Sequence, residues 1–266
     1  MAAPISAAPT LSDFCEQLNP RVLREVRSAR DPFADTAVPG SSVARSAAAV
    51  ERIQQSWVAG IEKRALVWLA ERTPARINSD HLTALGLIAQ IGAGACYALS
   101  RTYPLALLAV IACLALNWLG DSLDGTLART RHQLRPRYGF YVDHMVDSFG
   151  SLALMGGLSV SGYMHPAIAI GLLTGFLLLS IQSYLAAHTL GEFRISLWKF
   201  GPTELRILLA VGNLALFWKP QVHLLGRVWK LFDVGGAIGL AGMALMVVFF
   251  TAQNTIRLYR EERIAR

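Results

Sequence analysis

The chain has 266 residues, 53% hydrophobic and only 16% charged. That balance excludes an ordinary soluble domain and indicates an integral membrane protein. The net charge of +7 does not imply nucleic acid as a partner, because the basic residues sit beside apolar runs, where anionic lipid headgroups or phosphorylated substrates meet them.

Residues 1–77 read as a cytoplasmic N-terminal segment, Arg-rich, with no long apolar run and no signal peptide. Within it, residues 1–47 show no strong periodicity, and DPFADTAVPGSS is loop-like. Between about residues 48 and 72, Val50, Ile53, Trp57, Ile61 and Trp68 recur mostly at three-to-four-residue spacing, while Glu51, Arg52, Glu62 and Lys63 fall elsewhere. This predicts an amphipathic juxtamembrane helix along the cytoplasmic face.

The expected fold is all-α and polytopic, with six transmembrane helices in a catalytic domain over 78–258 and a basic tail over 259–266. The spans read as Leu82–Ser100, Pro104–Gly120, Gly139–Tyr163, Pro166–His188, Thr203–Trp218 and Val234–Gln253. An apolar helix needs about 20 residues to cross. The apolar run Pro104–Gly120 is short because its helix is expected to continue through Asp121 to Arg129; Thr203–Trp218 is short outright. Gln221–Leu231 reads as an outer interfacial segment. Lys and Arg divide 21 to 4 between the two sides, so the positive-inside bias puts both termini in the cytoplasm. Arg outnumbers Lys 21 to 4, which fits a GC-rich bacterial source and hence the inner membrane. Cys15, Cys96 and Cys113 read as free thiols.

The chemistry concentrates in DSLDGTLARTRHQLRPRYGFYVDHMVD, from Asp121 to Asp147. Asp121 and Asp124 are three residues apart and share a helix face; Gly139, Asp143 and Asp147 form another stripe at four-residue steps. Two antiparallel helices can bring these stripes face to face. Gly125, Ala128 and Gly139 then leave room for a ligand, and Arg129, Arg131, Arg135 and Arg137 place positive charge at the mouth. Four carboxylates in an apolar chain need a compensating cation. Oxygen-only ligands suit two Mg²⁺ or Mn²⁺ ions that bind a diphosphate substrate at the same time. A structural salt-bridge network is the plain alternative, weakened because no Lys or Arg lies in the apolar cores of the spans.

The pattern D-x2-D-G-x2-A-R-x9-G-x3-D-x3-D resembles the signature of the CDP-alcohol phosphotransferase (CDP-alcohol phosphatidyltransferase) family, with a spacer of nine where eight is commonest. The resemblance implies a homodimer of six-helix subunits with its site open to the cytoplasm. Asp121, Asp124, Asp143 and Asp147 would be metal ligands, and Asp147 also a candidate general base. Gly125, Ala128, Arg129 and Gly139 would line the CDP pocket. The implied reaction is attack of an alcohol hydroxyl on the β-phosphorus of a CDP-alcohol, releasing CMP and forming a phosphodiester for phospholipid synthesis.

The runs DHMVDS, from Asp143, and GPTE, from Gly201, resemble the choline and ethanolamine phosphotransferase branch. By that resemblance His144 and Glu204 would activate a diacylglycerol hydroxyl. The bland readings are that His144 caps the site, while Glu204 pairs with Arg206 or opens its helix. The alternative branch transfers a phosphatidyl group from CDP-diacylglycerol to a polar, phosphorylated alcohol, whose phosphate Arg194 and Lys199 would bind. Two other classes are weaker. An intramembrane prenyltransferase would carry a second Asp-rich motif far along the chain, and a cation transporter would hold its acids at mid-span.

Overall fold

The computed structural model describes residues 59–190, 202–224 and 226–262, with side chains from Glu62 onward. The chain divides into Met1–Ala49 and Val50–Arg266, and every described residue lies in the latter unit. Arg194 and Lys199, the segment 1–47 and the first part of the expected amphipathic helix lie outside the described residues.

Among the described residues, seven helices and one hairpin follow in chain order: α1 Ala59–Arg72, α2 Ser79–Ser100, α3 Ala106–Thr130, α4 Pro136–Val160, α5 Pro166–Leu190, α6 Pro202–Trp218, β1 Gln221–Leu224, β2 Arg227–Lys230 and α7 Leu231–Glu261. The boundaries follow local chemistry. Asn78 caps α2 by accepting from the His81 N–H at 3.0 Å, and the Asn78 N–H donates back to His81 Nδ1 at 3.3 Å. Proline opens α4, α5 and α6, where its missing N–H costs nothing. At the end of α3, His132 adopts φ +55°, and the Gln133 N–H returns to the Ala128 carbonyl at 2.9 Å. That left-handed closure turns the chain back toward α4.

The expected continuation of the helix beyond Gly120 is present, since α3 is helical through Thr130. Four helices are long and apolar enough to cross a membrane: α2, α3, α5 and α7. The other two expected spans do not qualify on that measure. α4 starts in the charged sequence around Arg137, Asp143 and Asp147, and α6 has 17 residues. The expected interfacial segment is an antiparallel hairpin pairing Val222 with Trp229.

Packing is closest where side chains vanish. α2 lies against α3 and α4, α6 against α3, and α7 against α5. A Cβ on Gly120 of α3 would fall 2.6 Å from the Leu82 carbonyl oxygen; one on Gly157 of α4 would fall 1.9 Å from that of Gly94. Small residues allow such backbone contact, a source of association between apolar helices that does not depend on excluding water. One buried cluster, including Tyr97, Leu107, Val110 and Leu158, fills the bundle away from the aspartates. Another, of Leu66, Ala70, Leu82, Leu123 and Leu127, forms where α1 meets α2 and α3.

In the described part of the expected amphipathic helix, the face that packs on the bundle is not the one that carries Trp68. Leu66 and Ala70 are buried and Glu62 is partly buried, whereas Trp68 is 53% exposed, with the Arg72 guanidinium 4.1 Å above its ring. The reason is that α1 packs on α3 through small and aliphatic side chains. The indole is left on the outside, with a polar rim beside it.

Candidate active site

α3 and α4 run antiparallel, so the C-terminal half of one faces the N-terminal half of the other. Asp121 and Asp124 of α3 and Asp143 and Asp147 of α4 line one cleft, together with Thr83 and Gly86 of α2, Asn117 of α3 and Val146 of α4. Its empty volume, open mouth included, is about 210 Å³. The two stripes read from the spacing therefore meet.

Within the cleft, protein donors already hold two of the carboxylates. Asp124 is buried; its Oδ2 accepts from the Thr83 hydroxyl at 2.6 Å and its Oδ1 from the Gly125 N–H at 2.5 Å. Asp121 Oδ2 accepts from an Arg206 guanidinium nitrogen at 2.6 Å, in an ion pair that is only 15% exposed on the arginine side. Arg206 Nε also donates to Asn117 Oδ1 at 2.8 Å, and the Asn117 amide donates to the Gly86 carbonyl at 3.0 Å and to Gln90 Oε1 at 3.3 Å. One cation thus reaches a cleft carboxylate from α6. The expectation that the apolar cores of the spans hold no Lys or Arg leaves out Arg206, which lies within the expected span Thr203–Trp218 and is directed at Asp121.

Among the described residues, no three His, Cys, Asp or Glu groups stand at separations that would hold a metal ion as placed. The donor set nonetheless fits a hard divalent cation. It comprises four carboxylates and no sulfur or imidazole, on a cleft lined by Gly86 and short polar side chains.

The remaining expected residues divide. A Cβ on Gly139 would meet nothing within 4 Å, and one on Gly125 would meet only the Arg129 guanidinium, at 3.6 Å. Both positions border open space. Ala128 is buried and does not line the cleft, so its methyl packs rather than leaving room. Arg129 donates to the Thr126 hydroxyl at 3.1 Å. Two of the loop arginines expected at the mouth are engaged elsewhere. Arg131 donates to the carbonyls of Thr73, Pro74 and Ile77 in the α1–α2 elbow. Arg135 pairs with Asp80 and lies 4.2 Å over the Tyr138 ring.

Neither His144 nor Glu204 lines the cleft. The His144 ring is buried between Phe140, at 4.2 Å, and Tyr184 of α5, at 4.6 Å. Its Nδ1 faces the Phe140 carbonyl, so Nδ1 carries a proton and Nε2 is the basic nitrogen of the neutral ring. Sequence reading missed Thr83, Asn117 and Tyr184; the last lies within electrostatic reach of Asp147 and Asp143. Single polar residues in apolar runs were the signal available. Polar residues in apolar runs also include Gln182, Ser183, Gln253 and Asn254, which line an open groove between α5 and α7.

Gly139→Leu would push an isobutyl group into the open space before Asp143. It is expected to weaken CDP binding at least tenfold while leaving the unfolding midpoint unchanged, because nothing packs against that position. Calorimetric titration with CDP checks this, and parental affinity would remove Gly139 from the nucleotide pocket.

No curated protein matches the chain. The family model for CDP-alcohol phosphatidyltransferases matches residues 76–252, about two thirds of the chain, from the α1–α2 elbow into α7 and across all four aspartates. With that match and four carboxylates from two antiparallel helices on one cleft, the chain belongs to the CDP-alcohol phosphatidyltransferase family.

Proposed function

We propose that this protein catalyses Mg²⁺-dependent transfer of a phospho-alcohol group from a CDP-alcohol to an acceptor hydroxyl at the cleft of Asp121, Asp124, Asp143 and Asp147. Membership of the family makes it a transferase of phosphate-containing groups, with a CDP-alcohol donor and an alcohol acceptor, in phospholipid synthesis. The family generally uses divalent metal ions. The observation that carries the finer reading is the shared cleft of the four aspartates.

Asp121, Asp124, Asp143 and Asp147 would hold the metal. Divalent ions bound there would polarise the β-phosphate and stabilise the oxygen that leaves with CMP. Gly125 and Gly139 border space for the nucleotide, and Arg129 supplies a cation beside it. The acceptor oxygen forms its bond to the β-phosphorus as the bond to CMP breaks, and the hydroxyl proton passes to a carboxylate. Asp147 is the base we favour, because of Asp147, His144 and Glu204 it alone lines the cleft. His144, with Nε2 basic, and Glu204, in the first turn of α6, are better placed to act at the acceptor's approach.

We further read α2 to α7 as six spans of a homodimer in the bacterial inner membrane, preceded by the N-terminal segment 1–77, with the cleft and both termini cytoplasmic. Four of the six helices have the length and apolarity to cross. α4 packs on α2 and α5, and α6 on α3, which supports counting them with the four.

Release of CMP by purified protein, measured over a panel of donors and acceptors with EDTA and with added Mg²⁺, tests the function. With a CDP-headgroup donor and diacylglycerol, Asp147→Asn should lower turnover by at least the roughly 10²–10⁴-fold of a general base, and His144→Ala and Glu204→Gln should each lower it by less. Arg194→Ala and Lys199→Ala should be mild with that acceptor. The reverse pattern, with CDP-diacylglycerol and a phosphorylated alcohol, would place the protein in the phosphatidyl-transfer branch. Full activity in excess EDTA would overturn the metal reading.

A further inference from the structure

Glu62 lies on α1, outside the family match and outside the cleft, yet its carboxylate gathers two other helices. One oxygen, Oε1, accepts from Trp118 Nε1 at 2.8 Å, from the Thr203 hydroxyl at 3.1 Å and, at longer range, from the Ser122 hydroxyl at 3.4 Å. Trp118 and Ser122 flank Asp121 on α3, three residues before it and one after. Thr203 lies on α6 three residues before Arg206, which reaches Asp121 at 2.6 Å. The same two helices are therefore joined twice, once at Asp121 by Arg206 and once through Glu62.

The carboxylate is delivered from a firm base. Leu66 and Ala70, one and two turns along α1, are buried against Leu82, Leu123 and Leu127. Arg131, just past the end of α3, holds the carbonyls of Thr73, Pro74 and Ile77. α1 is thus fixed to α3 at both ends of its described contact. Among the described residues α6 packs chiefly on α3. The bond from Thr203 to Glu62 ties the first turn of α6 to α1.

From this geometry we infer that Glu62 is a positioning residue: it sets the first turn of α6 against the Asp121 turn of α3 and so holds Arg206 and Glu204 in register with the aspartate cleft. What matters is an accepting oxygen at the meeting point of three donors, not a charge at the reacting atoms. Partners of this outer-shell kind typically change activity by about 10–100-fold when removed. A shift of about 1 Å at a reacting centre can cost about 10²-fold.

The inference rests on the reading that Asp121 belongs to the reacting centre, and two independent measurements separate the two. The first is steady-state CMP release by the full-length protein in detergent. Glu62→Ala should lower kcat about 10–100-fold, leave the donor KM within about threefold, and raise the Mg²⁺ concentration for half-activation. Glu62→Gln keeps the accepting oxygen and should restore most of the rate. The other is a spin-label distance between Leu116→Cys on α3 and Leu208→Cys on α6, both exposed, with the native cysteines replaced. The distribution should be narrow in the parent and in Glu62→Gln and broad in Glu62→Ala, whatever the protein catalyses. Should Glu62→Ala fail to fold, Thr203→Val and Trp118→Phe each remove one donor and should each lower kcat severalfold. Parental turnover in Glu62→Ala, equal damage from Glu62→Gln, an unbroadened distance, or parental kcat in both donor variants would overturn the inference. A parent that releases no CMP while the distances behave as described would overturn the function and leave the coupling standing.

Discussion

Asp124→Asn is expected to abolish CMP release while leaving a folded membrane protein. Asp124 is the most enclosed of the cleft carboxylates, held by the Thr83 hydroxyl and the Gly125 N–H. Asparagine has nearly the same volume; its oxygen can accept from the Gly125 N–H while its NH2 group donates to the Thr83 hydroxyl, so packing changes little. What it removes is the negative charge that a divalent ion would require. Metal stabilisation of a transferring phosphoryl group is worth several kcal/mol, which converts to a loss of about 10²–10⁴-fold. Asp121→Asn should be similar in rate, but it also loosens Arg206, whose guanidinium now faces a neutral amide. Asp143→Asn and Asp147→Asn test the α4 side of the same cleft. The measurement is CMP release against Mg²⁺ concentration beside an unfolding curve for each variant. A folded Asp124→Asn protein with parental turnover would sink the assignment of the cleft.

Gly157→Val should prevent the bundle from assembling, whereas Gly156→Val, one position earlier, should be nearly neutral. A Cβ at Gly157 would lie 1.9 Å from the Gly94 carbonyl oxygen and 2.6 Å from the Gly94 Cα, while one at Gly156 meets nothing within 4 Å. Overpacking typically costs about 1–3 kcal/mol when side chains can shift. Here the obstacle is backbone on a neighbouring helix, so α2 and α4 would have to separate. Their contact also positions Gln90, which meets Asn117 under the cleft. Gly157→Val is expected to lose its monodisperse peak and cooperative unfolding transition in detergent, with Gly156→Val retaining both. Equal behaviour of the two would mean that the α2–α4 contact is not a close backbone crossing.

The class of the protein and the convergence of its four aspartates were legible in the amino-acid order alone. Apolar runs of about 20 residues have few fates besides a helix across lipid. Three- and four-residue spacing puts Asp121 with Asp124 and Asp143 with Asp147 on single faces whatever the surroundings. These are local properties, carried by the period of the helix, and the cleft bears out the meeting of the two stripes. Whatever depended on the partner of a side chain was fixed by the packing of the helices instead. Arg206 could be counted as a basic residue near a span, but only the approach of α6 to α3 turns it onto Asp121 and Asn117. Arg131 and Arg135 had the character of charges at a mouth, yet the α1–α2 elbow and Asp80 take them. Ala128 suggested space and is packed. Glu62 fell on the polar side of an amphipathic pattern, and it faces inward because donors from two distant segments converge on it. Periodicity reports which residues share a face; it holds no information about which element that face will meet. Polar residues that are costly to bury go where their hydrogen bonds can be made, and that is settled only when the helices assemble.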